Sequence, residues 1–208
     1  MKNYLSIFLL ACLFASCQSS KKDASESNQS APASDTLVNH AVINKDSCTD
    51  GLYHKYAHAY NNFIVDHQSK IVEKNIDFVK ALERKAPQEK VAALYTSLTQ
   101  QTQESIDSLG KLCAFNGDLE FKNSALALFK FYQQAWTEYK GLVEVKNEKE
   151  RMAAFEKIRT RFNEIHSKTE KELEEKFAAA HTHFSNEYEL HVRRTAINEK
   201  LDSMLYLK

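Results

Sequence analysis

The fold is decided by residues 155–184, which read FEKIRTRFNEIHSKTEKELEEKFAAAHTHF. Apolar side chains return along this stretch at every third or fourth position, the spacing of one face of an α-helix. The members of this face are Phe155, Ile158, Phe162, Ile165, Thr169, Leu173, Phe177, Ala180 and Phe184. The charged run 168–176 is predicted to form the solvated side of the same helix. Upstream, Asn147 followed by Glu150 is typical of a capping box that opens it.

This helix is not expected to continue to the end of the chain. At about 1.5 Å per residue, a helix from Glu148 to Tyr206 would be about 90 Å long. We expect a break near Ser185 and Asn186, followed by a shorter helix. The apolar face of that last helix is formed by Ile197, Leu201 and Leu205.

Three further helices are predicted upstream from the same spacing. The first runs over about residues 52–85 and the second over roughly 88–112. Pro87 separates them, because proline disfavours helical angles in the residue before it. The third follows an Asn-Gly-Asp turn at 116–118 and ends within residues 141–146.

The predicted architecture is all-α, an antiparallel up-down-up-down four-helix bundle with a short C-terminal helix. Four amphipathic helices with short connections favour this arrangement, because their apolar faces need partners of matching size. The alternative, an extended coiled-coil dimer, would need longer heptads with fewer Tyr, His, Gln and Asn side chains in the seam. Glycine (4) and proline (2) are scarce, which also favours helix.

The N-terminus predicts export. Lys2 provides a short positive region, and residues 4–14 form an apolar run too short to span a bilayer. Residues 14–17, Phe-Ala-Ser-Cys, resemble the lipobox of bacterial lipoproteins, with Phe where Leu is more usual. The resemblance implies cleavage before Cys17, lipidation of its thiol and acylation of its new amino group, with palmitate as an expected acyl chain. The alternative is an ordinary secretory peptide cut near the same place.

Three regions follow from this interpretation. Residues 1–16 are the predicted lipoprotein signal peptide, and 17–50 are the lipidated cysteine and a flexible tether. The tether begins Ser-, Ala- and Lys-rich without apolar periodicity, which is typical of disorder, and its reach is roughly 30 Å. Residues 51–208 are the predicted helical bundle domain.

The chain resembles an uncharacterised family of helical bacterial surface lipoproteins, of the kind found in Bacteroidetes and Leptospira. The resemblance is carried by the lipobox ending at Cys17, the Ser-rich tether and residues 60–68, which read YNNFIVDHQ. Asn62 stands where an acidic residue is expected in that segment. The resemblance implies an envelope location and a helical fold, and the family has no assigned activity.

Two cysteines remain in the mature domain, since Cys12 leaves with the signal peptide and Cys17 carries lipid. Cys48 and Cys113 form a candidate disulfide at the end where the first helix begins. In the chain-entropy model such a bridge adds about 4 kcal/mol of stability. The alternative is two unpaired thiols.

Histidines provide the candidate metal site. His54 and His58 are i,i+4 neighbours on one helical face, and His181 lies at a similar height on the predicted fourth helix. Imidazoles at this spacing suit zinc or copper. The alternative is an accidental pair on a surface helix. The Glu-x-x-His repeats of a ferritin-like di-iron centre do not occur in the sequence.

A second polar group is predicted inside the bundle. Its members are His67, Asn75, Gln101, Ser105, His166 and Thr169. Such layers more often fix the register of helices than bind a ligand.

The sequence favours a non-catalytic protein. Nucleophile, metalloprotease and phosphate-loop motifs do not occur in it. Lys+Arg and Asp+Glu are equal at 28 each, so no charge excess favours nucleic acid, and no nucleic-acid partner is expected. We expect an envelope lipoprotein, on the periplasmic or surface-exposed face of the outer membrane, that presents a helical bundle to an unknown protein partner or to an envelope structure. The alternative function is metal or small-ligand binding through His54, His58 and His181.

Overall fold

A computed structural model of the chain describes residues 51–190, which form five α-helices and one short 3-10 helix. The α-helices are α1 (Ala57–Glu83), α2 (Gln88–Lys111), α3 (Glu120–Thr137), α4 (Glu148–Ile165) and α5 (Ser167–Glu187), and the 3-10 helix is Lys140–Val143. The all-α prediction is confirmed for this part of the chain. The predicted signal peptide, the tether and the last helix lie outside the described residues. Between residues 51 and 190, no helix has the length and apolar character needed to cross a membrane.

The first helix begins later than predicted, at Ala57 rather than near Leu52. Leu52 instead lies beside Leu112, at the end of α2, in an isolated parallel bridge. The Leu52 amide donates to the Lys111 carbonyl, and the Cys113 amide donates to the Leu52 carbonyl at 2.8 Å. These bonds satisfy backbone groups at the end of α2 that have no partner within the helix. The pairing holds residues around Leu52 extended, so the helix cannot include them.

The first two helices run antiparallel. The rings of Phe78 and Tyr95 lie 5.9 Å apart near the turn that joins α1 to α2. Further from that turn, His67 Nδ1 lies 3.0 Å from the Ser105 hydroxyl. Residue numbers therefore fall on α2 as they rise on α1, which is the mark of antiparallel packing.

The same direction reversal relates α2 to α3. The Tyr95 hydroxyl donates to the Trp136 carbonyl at 3.1 Å, near the start of α2 and the end of α3. At the opposite ends, the Lys122 ammonium donates to the Leu112 carbonyl. This contact also places a positive charge at the C-terminus of α2, where the helix dipole favours it.

Helix α5 packs antiparallel on α3. The ring of Phe121, at the start of α3, lies 5.1 Å from that of His181 near the end of α5. The ring of Phe131 lies 6.0 Å from that of His166, which directly precedes α5.

An aromatic cluster fills the end of the structure at which residue 51 enters. Its members, all at most 2% exposed, are Tyr60, Phe115, Phe121, Phe177 and Phe184. Tyr60 lies 5.3 Å from both Phe115 and Phe184, ring centre to ring centre, so α1 meets the end of α5 there. Burial of each such side chain stabilises the fold by about 1.5–3 kcal/mol.

The predicted fourth helix is two helices, with a break at His166 that sequence periodicity did not indicate. Its start is confirmed, since the Asn147 side chain accepts from the Glu150 amide at 3.1 Å. On both sides of the break the buried face differs from the prediction. Ile165 is 53% exposed and Thr169 is exposed.

Helical geometry explains that difference. Phe162 and Phe177 are both buried, and the 15 positions between them amount to about 4.2 turns, an excess of about 60° over whole turns. After the break, the buried positions of α5 therefore lie one residue later in the sequence than an unbroken helix would place them. Glu170 is buried in place of Thr169. The α5 helix then ends at Glu187, close to the predicted break at residues 185–186.

A buried arginine joins the loops at the far end of the structure. Arg151 is 3% exposed, and its guanidinium donates to the Ala86 carbonyl at 2.7 Å and to the Val145 carbonyl at 3.4 Å. One carbonyl belongs to the turn between α1 and α2, and the other to the segment before α4. The side chain therefore connects α4 to the first helical pair.

Replacing Arg151 with alanine tests this connection. We expect Arg151→Ala to lower the free energy of unfolding by about 2–3 kcal/mol, because charged hydrogen bonds are lost and two carbonyls lose their donors. Urea denaturation followed by circular dichroism measures the change. The matched control is Arg161→Ala on the exposed side of α4, which should stay within about 0.5 kcal/mol of wild type. Equal losses in both variants would contradict the role of Arg151.

Candidate functional site

The structure gives His54 and His58 different surroundings. The His54 ring packs 5.1 Å from that of Phe63, and its burial lowers the pKa of the imidazole. His58 is exposed and stacks on Tyr56 at 5.6 Å. Both residues lie near the start of α1, and only His58 belongs to the helix.

His181 is a core residue. It is 5% exposed and stacks with Phe121 at 5.1 Å and with Phe177 at 6.4 Å. Burial lowers the pKa of its imidazole. Between residues 51 and 190, no group of three or more His, Cys, Asp or Glu side chains is arranged to hold a metal ion. The structure does not bring the three predicted ligands together, and zinc or copper binding stays a prediction.

Part of the predicted polar layer is present between α1 and α2. His67 lies 3.0 Å from the Ser105 hydroxyl, which also accepts from the Gln101 amide at 3.2 Å. A serine beside a histidine is the arrangement used in nucleophilic catalysis. Ser105, however, is 0% exposed, so no substrate reaches its oxygen. The contact fixes the register of two helices.

The rest of that layer is arranged differently. His166 Nε2 lies 2.8 Å from Glu138 Oε1, at the end of α3, rather than beside His67. Thr169 faces outward, and its predicted inward place is wrong because of the break at His166. Asn75 is buried as predicted.

Cys113 is disulfide-bonded and 7% exposed. Cys48 lies outside the described residues, so its pairing with Cys113 stays a prediction. Leu52 is four residues after Cys48, and its carbonyl accepts from the Cys113 amide. Four extended residues span about 13 Å, which is enough for Cys48 to reach Cys113.

The most unusual side chains of the described domain are two glutamates on α5. Glu170 and Glu174 are one helical turn apart, and Glu170 is 6% exposed. The Tyr132 hydroxyl, on α3, donates to Glu174 Oε1 at 3.1 Å. Tyr139, in the turn that follows α3, is also buried. Burial raises the pKa of its phenol, and the charges of Glu138 and Glu170 raise it further. We call Glu170 and Glu174 the glutamate pair.

Burial keeps the glutamate pair protonated into the neutral range. Removal from water raises the pKa of Glu170 to about 8, and the neighbouring Glu174 adds to the rise. Removal from water likewise raises the pKa of Glu174 to about 7, with a smaller rise from Glu175. The Tyr132 hydrogen bond opposes this second shift, because it stabilises the ionised carboxylate.

Two effects that could favour the ionised carboxylates do not offset the cost of burying them. A helix N-terminus favours negative charge in its first turn by about 0.3–1 kcal/mol, less than the roughly 1.4 kcal/mol of one pKa unit. Two basic side chains of neighbouring segments have other carboxylate partners. Arg159 forms an ion pair with Glu156, and His166 is bonded to Glu138.

The glutamate pair can therefore bind and release protons near neutral pH. Strongly shifted carboxyls are typical of functional sites, where burial and like charges are arranged to shift their pKa values. Sequence periodicity did not indicate this pair, because it places the charged run 168–176 on the solvated side of the helix. The sequence offered one small indication of the pair. Glu170 directly follows Thr169 and Glu174 directly follows Leu173, and both of those residues belong to the predicted apolar face.

Comparison with protein-family models, with curated proteins and with solved structures finds no match to this chain. The resemblance to bacterial surface lipoproteins stays a prediction.

Removing the Tyr132 hydroxyl should raise the pKa of Glu174 further. In Tyr132→Phe the carboxylate loses its donor while the apolar packing of the ring is kept. Carbon-13 NMR titration of the glutamate side-chain carboxyls measures the change. Tyr95→Phe removes a comparable tyrosine bond, to the Trp136 carbonyl, and should leave the Glu174 titration unchanged. A Glu174 pKa unaffected by Tyr132→Phe would contradict the contact.

The pairing of Cys48 with Cys113 is tested by serine substitutions in the oxidised mature chain. Cys48→Ser and Cys113→Ser should each lower the free energy of unfolding by about 4 kcal/mol, because either one opens a long closed loop. The double variant should lose no more than a single one. Chemical denaturation measures all three proteins. A stability unchanged by Cys48→Ser would show that Cys113 has a different partner.

Proposed function

We propose that the protein is a lipoprotein of the bacterial cell envelope, anchored through Cys17, that presents a non-catalytic helical domain to a protein partner or an envelope structure. The N-terminal sequence supports the anchor through its positive residue, short apolar run and lipobox-like residues 14–17. The burial of Ser105, the hydroxyl beside His67, is consistent with a binding or structural role for the domain.

One structural observation carries this proposal, namely the disulfide of Cys113 at the point where the chain enters the domain. Disulfides persist in oxidising compartments outside the cytosol, so this bond supports export. Leu52 is hydrogen-bonded to both Lys111 and Cys113 at the same place. A pull from a membrane anchor through residues 17–50 would act on this bonded end before it reached α1.

We further propose that α1, α2, α3 and the combined α4 and α5 form the up-down-up-down four-helix bundle. The antiparallel contacts of α1 with α2, α2 with α3 and α3 with α5 support this arrangement. The contact of Tyr60 with Phe184, between α1 and α5, would close the bundle.

Three exposed apolar side chains support contact with a partner near the anchored end. Leu52, Tyr56 and Leu119 are 39%, 48% and 41% exposed. The Lys55 ammonium lies over the Tyr56 ring, 5.5 Å from the ring centre. Aromatic side chains of this kind are enriched at protein interfaces.

Substitution of Cys17 tests the anchor directly. In cells supplied with a labelled fatty acid, Cys17→Ala should lose the label and leave the membrane fraction, because the acylated thiol is gone. The matched control is Cys12→Ala, which makes the same change within the predicted signal peptide and should keep the label. Membrane association retained by unlabelled Cys17→Ala would reject the lipid anchor.

A further inference from the structure

The first half of α5 is held to its neighbours by unusually few apolar side chains. Between Ser167 and Lys176, Glu170 is the buried residue, and Leu173 and Glu174 are half-buried. On either side of this segment, Phe162 is 0% exposed and Phe177 is 2% exposed. We call residues 167–176 the latch segment. It joins two firmly packed aromatic side chains and contributes little apolar surface of its own.

The glutamate pair occupies the inward face of the latch segment. The Tyr132 hydroxyl on α3 bonds Glu174. In the turn after α3, burial raises the pKa of Tyr139, and the charges of Glu138 and Glu170 add to that rise. The segment begins at a break, because His166 ends α4 with φ −109° and ψ −18°. A helix that starts at a break can change its direction there without distorting α4.

We propose that the glutamate pair makes residues 167–176 a proton-controlled latch, which stays packed on α3 while the pair holds a proton and separates from α3 when both carboxyls ionise. Two carboxylates one turn apart repel each other, and neither is stable away from water without a cation. Separation at the break lets water reach both. The aromatic contacts of Phe177 and Phe184 hold the second half of α5 in place.

The charges around the pair support this behaviour. On α3 the Tyr132 hydroxyl bonds Glu174, and on α5 the neighbouring Glu175 raises the pKa of Glu174 after burial does. In the turn after α3, burial, Glu138 and Glu170 raise the pKa of Tyr139, and Arg159 of α4 lowers it. His166 at the break is bonded to Glu138. On the outer side of the segment, Lys168 pairs with Glu172 at 4.0 Å and Lys171 with Glu175 at 3.8 Å, and Lys176 is exposed. The buried face of α1 carries amides such as Gln68 and Asn75 and no charged side chain. Between residues 51 and 190, neither glutamate of the pair forms a salt bridge.

The direction of the pH effect follows from the raised pKa values. The folded state holds more protons than the unfolded chain between the ordinary glutamate pKa of 4.5 and the shifted values of about 7 and about 8. Stability contributed by the protonated pair is therefore complete below 4.5 and falls as the pH rises through 7 and 8. The latch is closed in mild acid and open in mild alkali.

Hydrogen exchange of the full mature chain, held in detergent and detected by mass spectrometry, tests the latch. Protection factors, corrected for the intrinsic effect of pH on exchange, are compared at pH 6 and pH 9. Peptides within the latch segment should lose protection by about tenfold or more, while peptides of α2 should change little. Loss of protection spread equally over α2 and α5, or no loss in the latch segment, would overturn the proposal.

Glutamine variants connect the effect to the pair. Glu170→Gln with Glu174→Gln resembles the protonated form, so its latch segment should stay protected at both pH values. The matched control, Glu172→Gln, changes an exposed glutamate of the same segment and should open as wild type does. Circular dichroism at pH 6 checks that each variant folds, and Glu170→Gln alone serves if the double variant does not. If a folded Glu170→Gln variant lost as much protection in the latch segment at pH 9 as wild type does, the latch would be rejected.

Discussion

The structure depends on the packing of four phenylalanine side chains of α4 and α5 against the neighbouring helices. Phe155 and Phe162 on α4 and Phe177 and Phe184 on α5 are all buried. Within each pair the spacing is seven residues, close to two helical turns, so one straight helix serves both members. Between the pairs the spacing is fifteen residues, and the excess of about 60° is taken up by the break at His166. The other helices pack around the two faces that result.

This constraint has a local energetic consequence. The change of face that preserves the phenylalanine contacts also turns Glu170 inward, where it is 6% exposed. A buried carboxyl is tolerated when it is neutral, and burial raises its pKa until it is neutral at ordinary pH. The interface is thereby sensitive to protons, although apolar burial elsewhere in the core far exceeds any contribution from the pair. A weak segment between two strong ones is where local opening is expected.

The two ends of the structure are stabilised by different means. At the end where the chain enters, Leu52 pairs with the last turn of α2, and the disulfide of Cys113 lies beside it. At the opposite end, the Arg151 guanidinium donates to carbonyls of two loops. Both devices satisfy backbone groups that helix ends leave without partners. They also suit a domain attached at one end only, since the covalent bond lies at the proposed point of attachment.

The sequence by itself determined the all-α class, the bounds of α2, the Asn147 cap and most buried aromatic positions, because these depend on local spacing and on side chains near in sequence. It did not determine the start of α1, the break at His166, the partners of the histidines or the glutamate pair. Leu52 is extended because Leu112 lies beside it, and His181 is stacked because Phe121 faces it from another helix. Tertiary structure decided these features, because each depends on contact with a residue far away in sequence, which periodicity along one helix does not report.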